Sequence, residues 1–219
     1  MLDPSAVAAS LSAAFAASRE VADPYRHWLL KNLLPGGALE AIDALPYAAP
    51  KIDDTLGKRE THNSTRSFFS LEARAKYPVC QAIAGALQSE PIVEEISRMC
   101  DVDLRSSSLR IEYCLDTDGF WLEPHTDIGA KLFTMLIYLS DDVGSKDWGT
   151  DIYDADMRRV ARTPYGRNEG LIFVPASDTW HGFEKRPIAG VRRSLIVNYV
   201  KPEWRSRHEL AFPDRAAGT

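Results

Sequence analysis

The sequence predicts an α+β fold dominated by β, a double-stranded β-helix (jelly roll) behind an N-terminal helical layer. Three observations predict it. The first hundred residues carry mainly helical patterns. From about Leu104 short β-rich runs alternate with turn clusters, the texture of a sandwich or jelly roll. A chain of 219 residues with 45% apolar content suits one domain with its own core. The expected division is a helical front over 1–103, a jelly-roll core over 104–201 and a C-terminal tail over 202–219.

Taken in order, Ser5–Ala17 is an alanine-rich helix. Pro24–Leu34, with Trp28, Leu29, Leu33 and Leu34, reads as helix until Pro35-Gly36-Gly37 stops it. A short helix follows over Ala38–Leu45, and one or two longer ones fill Tyr77–Met99. Between them Pro50–Phe69 is polar and predicts a loop with some extended structure. The strands fall at Ser107–Leu115, Trp121–Thr126, Leu132–Ser140, Thr150–Tyr153, Gly170–Pro175, Thr179–Phe183 and Arg192–Val200. Turn residues separate them at Asp116–Gly119, Asp141–Gly149, Pro164–Glu169 and Pro187–Gly190.

Composition excludes several functions. The formal charge of −5 argues against a nucleic-acid partner, because phosphate neutralisation needs a basic face. Arg158, Arg159, Arg162 and Arg167 cluster in sequence and read as a solvated loop. No apolar run reaches membrane-spanning length, and the N-terminus lacks the pattern of a secretory signal. Cys80, Cys100 and Cys114 show no C-x-x-C spacing, so reduced thiols and a cytoplasmic location are expected. Apolar surface on the N-terminal helices suits either a homodimer or a cover for the β core.

The chemistry concentrates in three positions. His125 and Asp127 are two residues apart, so strand alternation puts both side chains on one face. His181 follows in Asp178-Thr179-Trp180-His181-Gly182, just after a strand-like run, with Trp180 beside it as a packing residue. Two imidazoles and a carboxylate make a facial triad, which leaves three adjacent positions of an octahedral Fe(II) open for a bidentate co-substrate and O₂. His27, His62 and His208 have no such context. In the last strand, alternation sets Arg192, Ser194, Ile196 and Asn198 on one face and Arg193, Leu195, Val197 and Tyr199 on the other. Arg192 and Ser194 form a fork for a carboxylate, and a buried arginine without an anion is costly.

The order His125-x-Asp127, then His181, then Arg192-x-Ser194 resembles the 2-oxoglutarate/Fe(II)-dependent oxygenase superfamily, and within it the small prolyl-hydroxylase-like branch. The resemblance runs from about Arg110 to Val200. His27–Pro35 is similar to the family's usual opening, Phe133–Ser140 to its third core strand and Glu169–Pro175 to the strand leading to the distal histidine. It implies that Fe(II), 2-oxoglutarate and O₂ are used. It also implies that Tyr113 lines the co-substrate pocket and that Tyr138 joins Arg192 and Ser194 on the distal carboxylate. Gly149-Thr150-Asp151 departs from the Gly-Gly-acid run of many members. Asp127 sets the chain apart from related halogenases, and the absence of a His-x-His pair sets it apart from cupin isomerases.

Substrate-positioning candidates are Asn63 and Arg66 in the polar loop, Trp121 and Glu123 on the His125 face, and Asn198 on the Arg192 face. The expected reaction is hydroxylation of a C–H bond in a small molecule such as an amino acid, a natural-product intermediate, or a glycan or lipid component. The alternatives are a protein hydroxylase of prolyl type and a non-catalytic jelly-roll binding module.

Overall fold

The computed structural model describes residues 2–61, 66–127 and 129–219. It is a mixed helix-and-sheet fold in which every strand pairing is antiparallel.

The front layer begins with α1 (Pro4–Ala16), opened by the Asp3 carboxylate accepting from the Ser5 amide and by proline in its first turn. Strand β1 (Arg19–Val21) and strand β2 (His27–Lys31) follow, then α2 (Gly36–Asp43) and the two-residue β3 (Ser67–Phe68). Next come α3 (Leu71–Lys76), α4 (Pro78–Gln88) and α5 (Glu90–Cys100). The predicted helical stretch at Tyr77–Met99 is two helices because Ser89 turns to an extended conformation and Pro91 opens the second one.

One expectation fails here. Pro24–Leu34 is not helical; its centre is β2, hydrogen-bonded between β1 and the later β9. Trp28 and Leu30 pack under the helices, whereas Leu29 packs on the opposite side of the sheet. A segment buried on both faces loses the alternation that would mark it as a strand.

The remaining strands are β4 (Ser108–Asp116), β5 (Leu122–His125), β6 (Lys131–Tyr138), β7 (Asp151–Tyr153), β8 (Arg159–Arg162), β9 (Glu169–Phe173), β10 (His181–Phe183) and β11 (Arg192–Val200). All seven predicted strand regions are present. Strand β8 is the surprise: two of the arginines read as a solvated loop lie in it. The four-arginine cluster is no free basic face, since Arg158 pairs with Asp156, Arg159 with Glu184, Arg162 with Asp151 and Arg167 with Asp43.

Seven strands form one sheet in the order β1-β2-β9-β6-β11-β4-β3, and four form a second in the order β5-β10-β7-β8. Alternation along the central strands divides the interior in two. Ile111, Tyr113, Phe133, Met135, Ile137, Leu195, Val197 and Tyr199 face the helices and meet Leu11, Ile83 and Leu87. Leu136, Tyr138, Leu171 and Phe173 face the second sheet and meet Phe120, Trp148, Ile152 and Phe183. The molecule is thus helix on sheet on sheet.

The C-terminal segment is not a loose tail. Ala211 and Ala217 donate backbone bonds to Leu109 and Ser107, and Leu210, Ala211 and Ala217 are buried. The apolar face of α1 is likewise turned inward through Val7, Leu11, Ala14 and Phe15, so it covers the core, and the basis for expecting a homodimer falls away. The three cysteines are buried free thiols. Among the described residues no helix is long and apolar enough to cross a membrane.

Candidate metal centre and anion pocket

Between the sheets lies a cavity of about 490 Å³ whose walls include His125, Asp127, His181, Thr134, Thr150 and Arg192. The two histidines arrive there because β10 pairs with β5 in the register His181↔His125, which sets their rings side by side at 4.4 Å. Asp127 follows β5 directly. One donor atom from each of the three residues lies within 4.8 Å of the others, the spacing of ligands around one ion.

The tautomers are fixed by the backbone. His125 Nδ1 lies 2.8 Å from the Glu123 carbonyl, and His181 Nδ1 lies 2.9 Å from the Thr179 carbonyl. A carbonyl can only accept, so each Nδ1 carries the proton and each Nε2 offers a lone pair. Asp127 is oriented too: Lys131 Nζ donates to Oδ1 at 2.7 Å and the Thr134 hydroxyl to Oδ2 at 3.1 Å. Burial pushes the Asp127 carboxyl up, but Lys131, His181 and His125 outweigh it and hold the group well below the usual carboxylate range. Burial pushes the His181 imidazole down to about 4 against the pull of Asp127, so it is neutral at pH 7. The set fits a divalent cation: two imidazoles with Nδ1 held by backbone carbonyls and one ionised carboxylate oriented by Lys131 and Thr134.

At the inner end of the cavity Arg192 is 3% exposed. Its Nε donates to the Trp148 carbonyl at 2.8 Å and its Nη1 to Asp116 at 2.7 Å. This corrects the expectation that only a bound ligand answers its charge, because Asp116 is an internal counter-ion. Nη2 has no hydrogen-bond partner among the described residues, and Arg192 lines the cavity. Ser194 shares its face and is fully buried, with a hydroxyl that has no partner among the described residues.

Tyr138 is displaced from its expected role. Its hydroxyl sits 2.8 Å from both Thr150 Oγ1 and Thr163 Oγ1, and Thr150, not Tyr138, lines the cavity. Tyr113 is on the wrong side. It pairs in register with Leu195, points under the helices and meets the Tyr47 ring at 6.1 Å. Odd and even positions of β4 face opposite layers, so Tyr113 cannot share a wall with Arg192.

Of the substrate candidates, Asn63 lies outside the described residues. Arg66 does line the cavity, held by Glu112 through a two-point pair at 2.9 and 2.7 Å. Glu123 is exposed at the mouth, and its carbonyl anchors His125. Trp121 is turned away to donate to Asp54 at 2.5 Å. Asn198 is fully buried and spent on Arg110, Thr134 and the Phe133 carbonyl. Neither Trp121 nor Asn198 lines the cavity.

Sequence reasoning missed Lys131, Thr134, Thr150, Arg59 and the acids of β4. One signal was available. Arg110, Glu112 and Asp116 lie at even positions of a strand whose odd positions are all apolar, so alternation puts them on one face, and the register Arg192↔Asp116 makes it the Arg192 side. There Arg110 donates to Glu112 at 2.9 Å and Glu209 at 2.6 Å, while Arg59 donates to Asp116 at 2.9 Å. Burial raises the Glu112 carboxyl, but Arg66, Arg59 and Arg110 carry it below the usual carboxylate range.

No protein-family model matches the sequence, and neither does any curated protein. Solved structures do share the fold. A Pseudomonas putida prolyl-4-hydroxylase is similar at 15% identity and TM-score 0.54, over 89% of this chain and 94% of that one. A Phytophthora capsici prolyl 4-hydroxylase is similar at 10% identity and TM-score 0.61, over 92% and 66%. A Trichoplax adhaerens prolyl hydroxylase, solved with a hypoxia inducible factor peptide fragment, is similar at 10% identity and TM-score 0.56, over 93% and 91%. These neighbours belong to the 2-oxoglutarate/Fe(II)-dependent oxygenase superfamily.

Proposed function

We propose that this chain is an Fe(II)- and 2-oxoglutarate-dependent oxygenase that hydroxylates a C–H bond, and that its two sheets form a double-stranded β-helix. The observation that carries the reading is the convergence of His125, Asp127 and His181 in the same cavity as an arginine with one nitrogen unpartnered among the described residues.

His125 and His181 would hold the metal through Nε2 and Asp127 through a carboxylate oxygen. Bound there, iron and 2-oxoglutarate would couple O₂-driven decarboxylation of the keto acid to oxidation of the substrate. The chain's own work is orientation. Arg192 Nη2 and the Thr150 hydroxyl are the donors available to the distal carboxylate of 2-oxoglutarate. The Tyr138 hydroxyl fixes Thr150 from behind, whereas the Ser194 hydroxyl, although on the Arg192 face, is fully buried and does not line the cavity. Leu122, Leu136, Phe183 and Ile196 line the cavity and exclude water around the methylene carbons.

The first reading of the substrate is a small molecule, which would share the cavity of about 490 Å³ with the co-substrate. The prolyl-type protein hydroxylase is the second reading, supported by a neighbour solved with a peptide. Anaerobic addition of Fe(II) and 2-oxoglutarate should give a weak visible charge-transfer band that His181→Ala abolishes. A band that survives this substitution would overturn the site. Succinate release stimulated by free amino acids, or instead by prolyl peptides, separates the two substrate classes.

A further inference from the structure

Asp116 creates a difficulty for the anion pocket. It sits 2.7 Å from Arg192 with both side chains 4% exposed, so the pair alone is electrically neutral. A neutral pair has little to offer the carboxylate of a dianionic co-substrate. Arg59 reverses this. From the segment before the undescribed residues 62–65 it reaches in behind Phe120, its guanidinium 4.6 Å from that ring, and holds the other Asp116 oxygen at 2.9 Å. Its side chain is 17% exposed, and it lines the same cavity as Arg192.

The neighbouring arginine–carboxylate pairs do not cancel the result. Across the cavity-facing side of β4 and β11, Arg59, Arg66, Arg110 and Arg192 face three carboxylates, Glu112, Asp116 and Glu209. Arg66 and Arg110 are matched by the two glutamates, which leaves Arg59 and Arg192 sharing Asp116 with one positive charge in excess within this ion-pair network. Of the other charges lining the cavity, Lys131 is paired with Asp127, and Lys58, Glu60 and Glu123 lie outside the network. Arg186 also reaches the Phe183 ring, but it is bound to Asp151 and the Gly149 carbonyl and does not line the cavity.

We propose that Arg59 is a specificity-determining residue: it restores the positive charge that Asp116 takes from Arg192, and so makes the pocket select a 2-oxo acid with a second carboxylate. Asp116 in turn fixes Arg192 in place with Nη2 toward the cavity. The proposal rests on the functional reading above and adds to it a residue remote in sequence from the Arg192-x-Ser194 fork. It assigns Arg59 a role through charge, so a neutral replacement is repaired by removing the charge that Arg59 offsets.

The experiment titrates the anaerobic Fe(II)-loaded protein with 2-oxoglutarate and with 2-oxobutyrate, which lacks the distal carboxylate. Binding is followed by the charge-transfer band and by calorimetry. Arg59→Gln should weaken 2-oxoglutarate by roughly tenfold or more, leave 2-oxobutyrate within about twofold, and leave Fe(II) affinity unchanged. The double variant Arg59→Gln/Asp116→Asn should recover most of the 2-oxoglutarate affinity, and Arg59→Lys should keep it. Equal losses for both keto acids, or a double variant as weak as Arg59→Gln, would overturn the charge role in favour of a merely structural one. Unaltered 2-oxoglutarate binding in Arg59→Gln would also overturn it. If Arg59→Gln fails to fold, weak binding by a folded double variant would do so too. Wild-type protein that binds neither keto acid would instead bring down the functional reading itself.

Discussion

At His181 burial and charge pull in opposite directions, and burial wins. The ring lies against Phe173 and His125 with centroids 4.6 and 4.4 Å away, and its imidazole is pushed down to about 4 from 6.5. In metal-free protein the unfolded chain therefore takes up a proton below about pH 6.5 that the folded chain refuses until about 4. Stability contributed by this residue is complete above 6.5 and falls by about 1.4 kcal/mol per pH unit below it. Asp127 and Glu112, both held low, add losses only at still lower pH, where their unfolded forms protonate. Urea midpoints of chelator-treated protein should thus be flat from pH 8 to 7 and decline from 6.5 to 5. His181→Gln should reduce that decline, leaving the part due to His27, whose imidazole burial also pushes down. The same scale decides between neighbouring arginines. Arg192 is buried toward the cavity, whereas Arg193 faces the other way and lies 4.0 Å from Asp142 at the surface. Arg192→Ala should weaken 2-oxoglutarate binding at least tenfold, and Arg193→Ala should change it little. Equal effects by calorimetry would contradict the register of β11.

Among the elements, the β7–β8 hairpin builds the inner wall. Thr150 and Thr163 bracket the Tyr138 hydroxyl, and each backbone amide bonds across the pair, Thr163 N–H to the Thr150 carbonyl and Thr150 N–H to the Thr163 hydroxyl. Gly149 permits this closeness, since a Cβ there would overlap the Thr163 carbonyl. The sequence departure at Gly149-Thr150-Asp151 thus has a structural sense: the residue after the glycine supplies a hydroxyl to the cavity. Gly149→Ala should cost about 2–4 kcal/mol and weaken 2-oxoglutarate binding together with stability, read by chemical denaturation and calorimetry on the same preparation. The positions of β4, β6 and β11, and the alternation of β11, were legible in advance. The identities of β2 and β8 were not, because β2 is buried on both faces and β8, an edge strand of largely exposed residues, has no buried face to impose a pattern.

For the whole molecule, the helices form the foundation of the sheet that carries the site, and stand apart from the chemistry itself. The Tyr199 hydroxyl reaches through to the Leu87 carbonyl at 2.5 Å, and Ile83 and Leu87 are fully buried against the sheet. Ile83→Ala should lower stability by about 2–5 kcal/mol while leaving Fe(II) affinity of the folded protein unchanged at 25 °C. A parallel loss of metal affinity would mean that helices and site are more tightly linked than this layering implies.

The sequence by itself singled out the three residues proposed to hold the metal, the arginine that shares their cavity and the helix-then-strand order, because a period of two fixes which side chains share a face. Only the tertiary structure decided what those side chains meet across the sheets. It moved Tyr113 to the helical side, put Thr150 in front of Tyr138, committed Trp121 and Asn198 to internal bonds, and gave Arg192 the internal partners Asp116 and Trp148. Arg59 and Asp116 are 57 positions apart, and no local periodicity links them. Their meeting follows from how a loop crosses a sheet edge, and a pair joined only through long-range packing leaves no pattern in the chain.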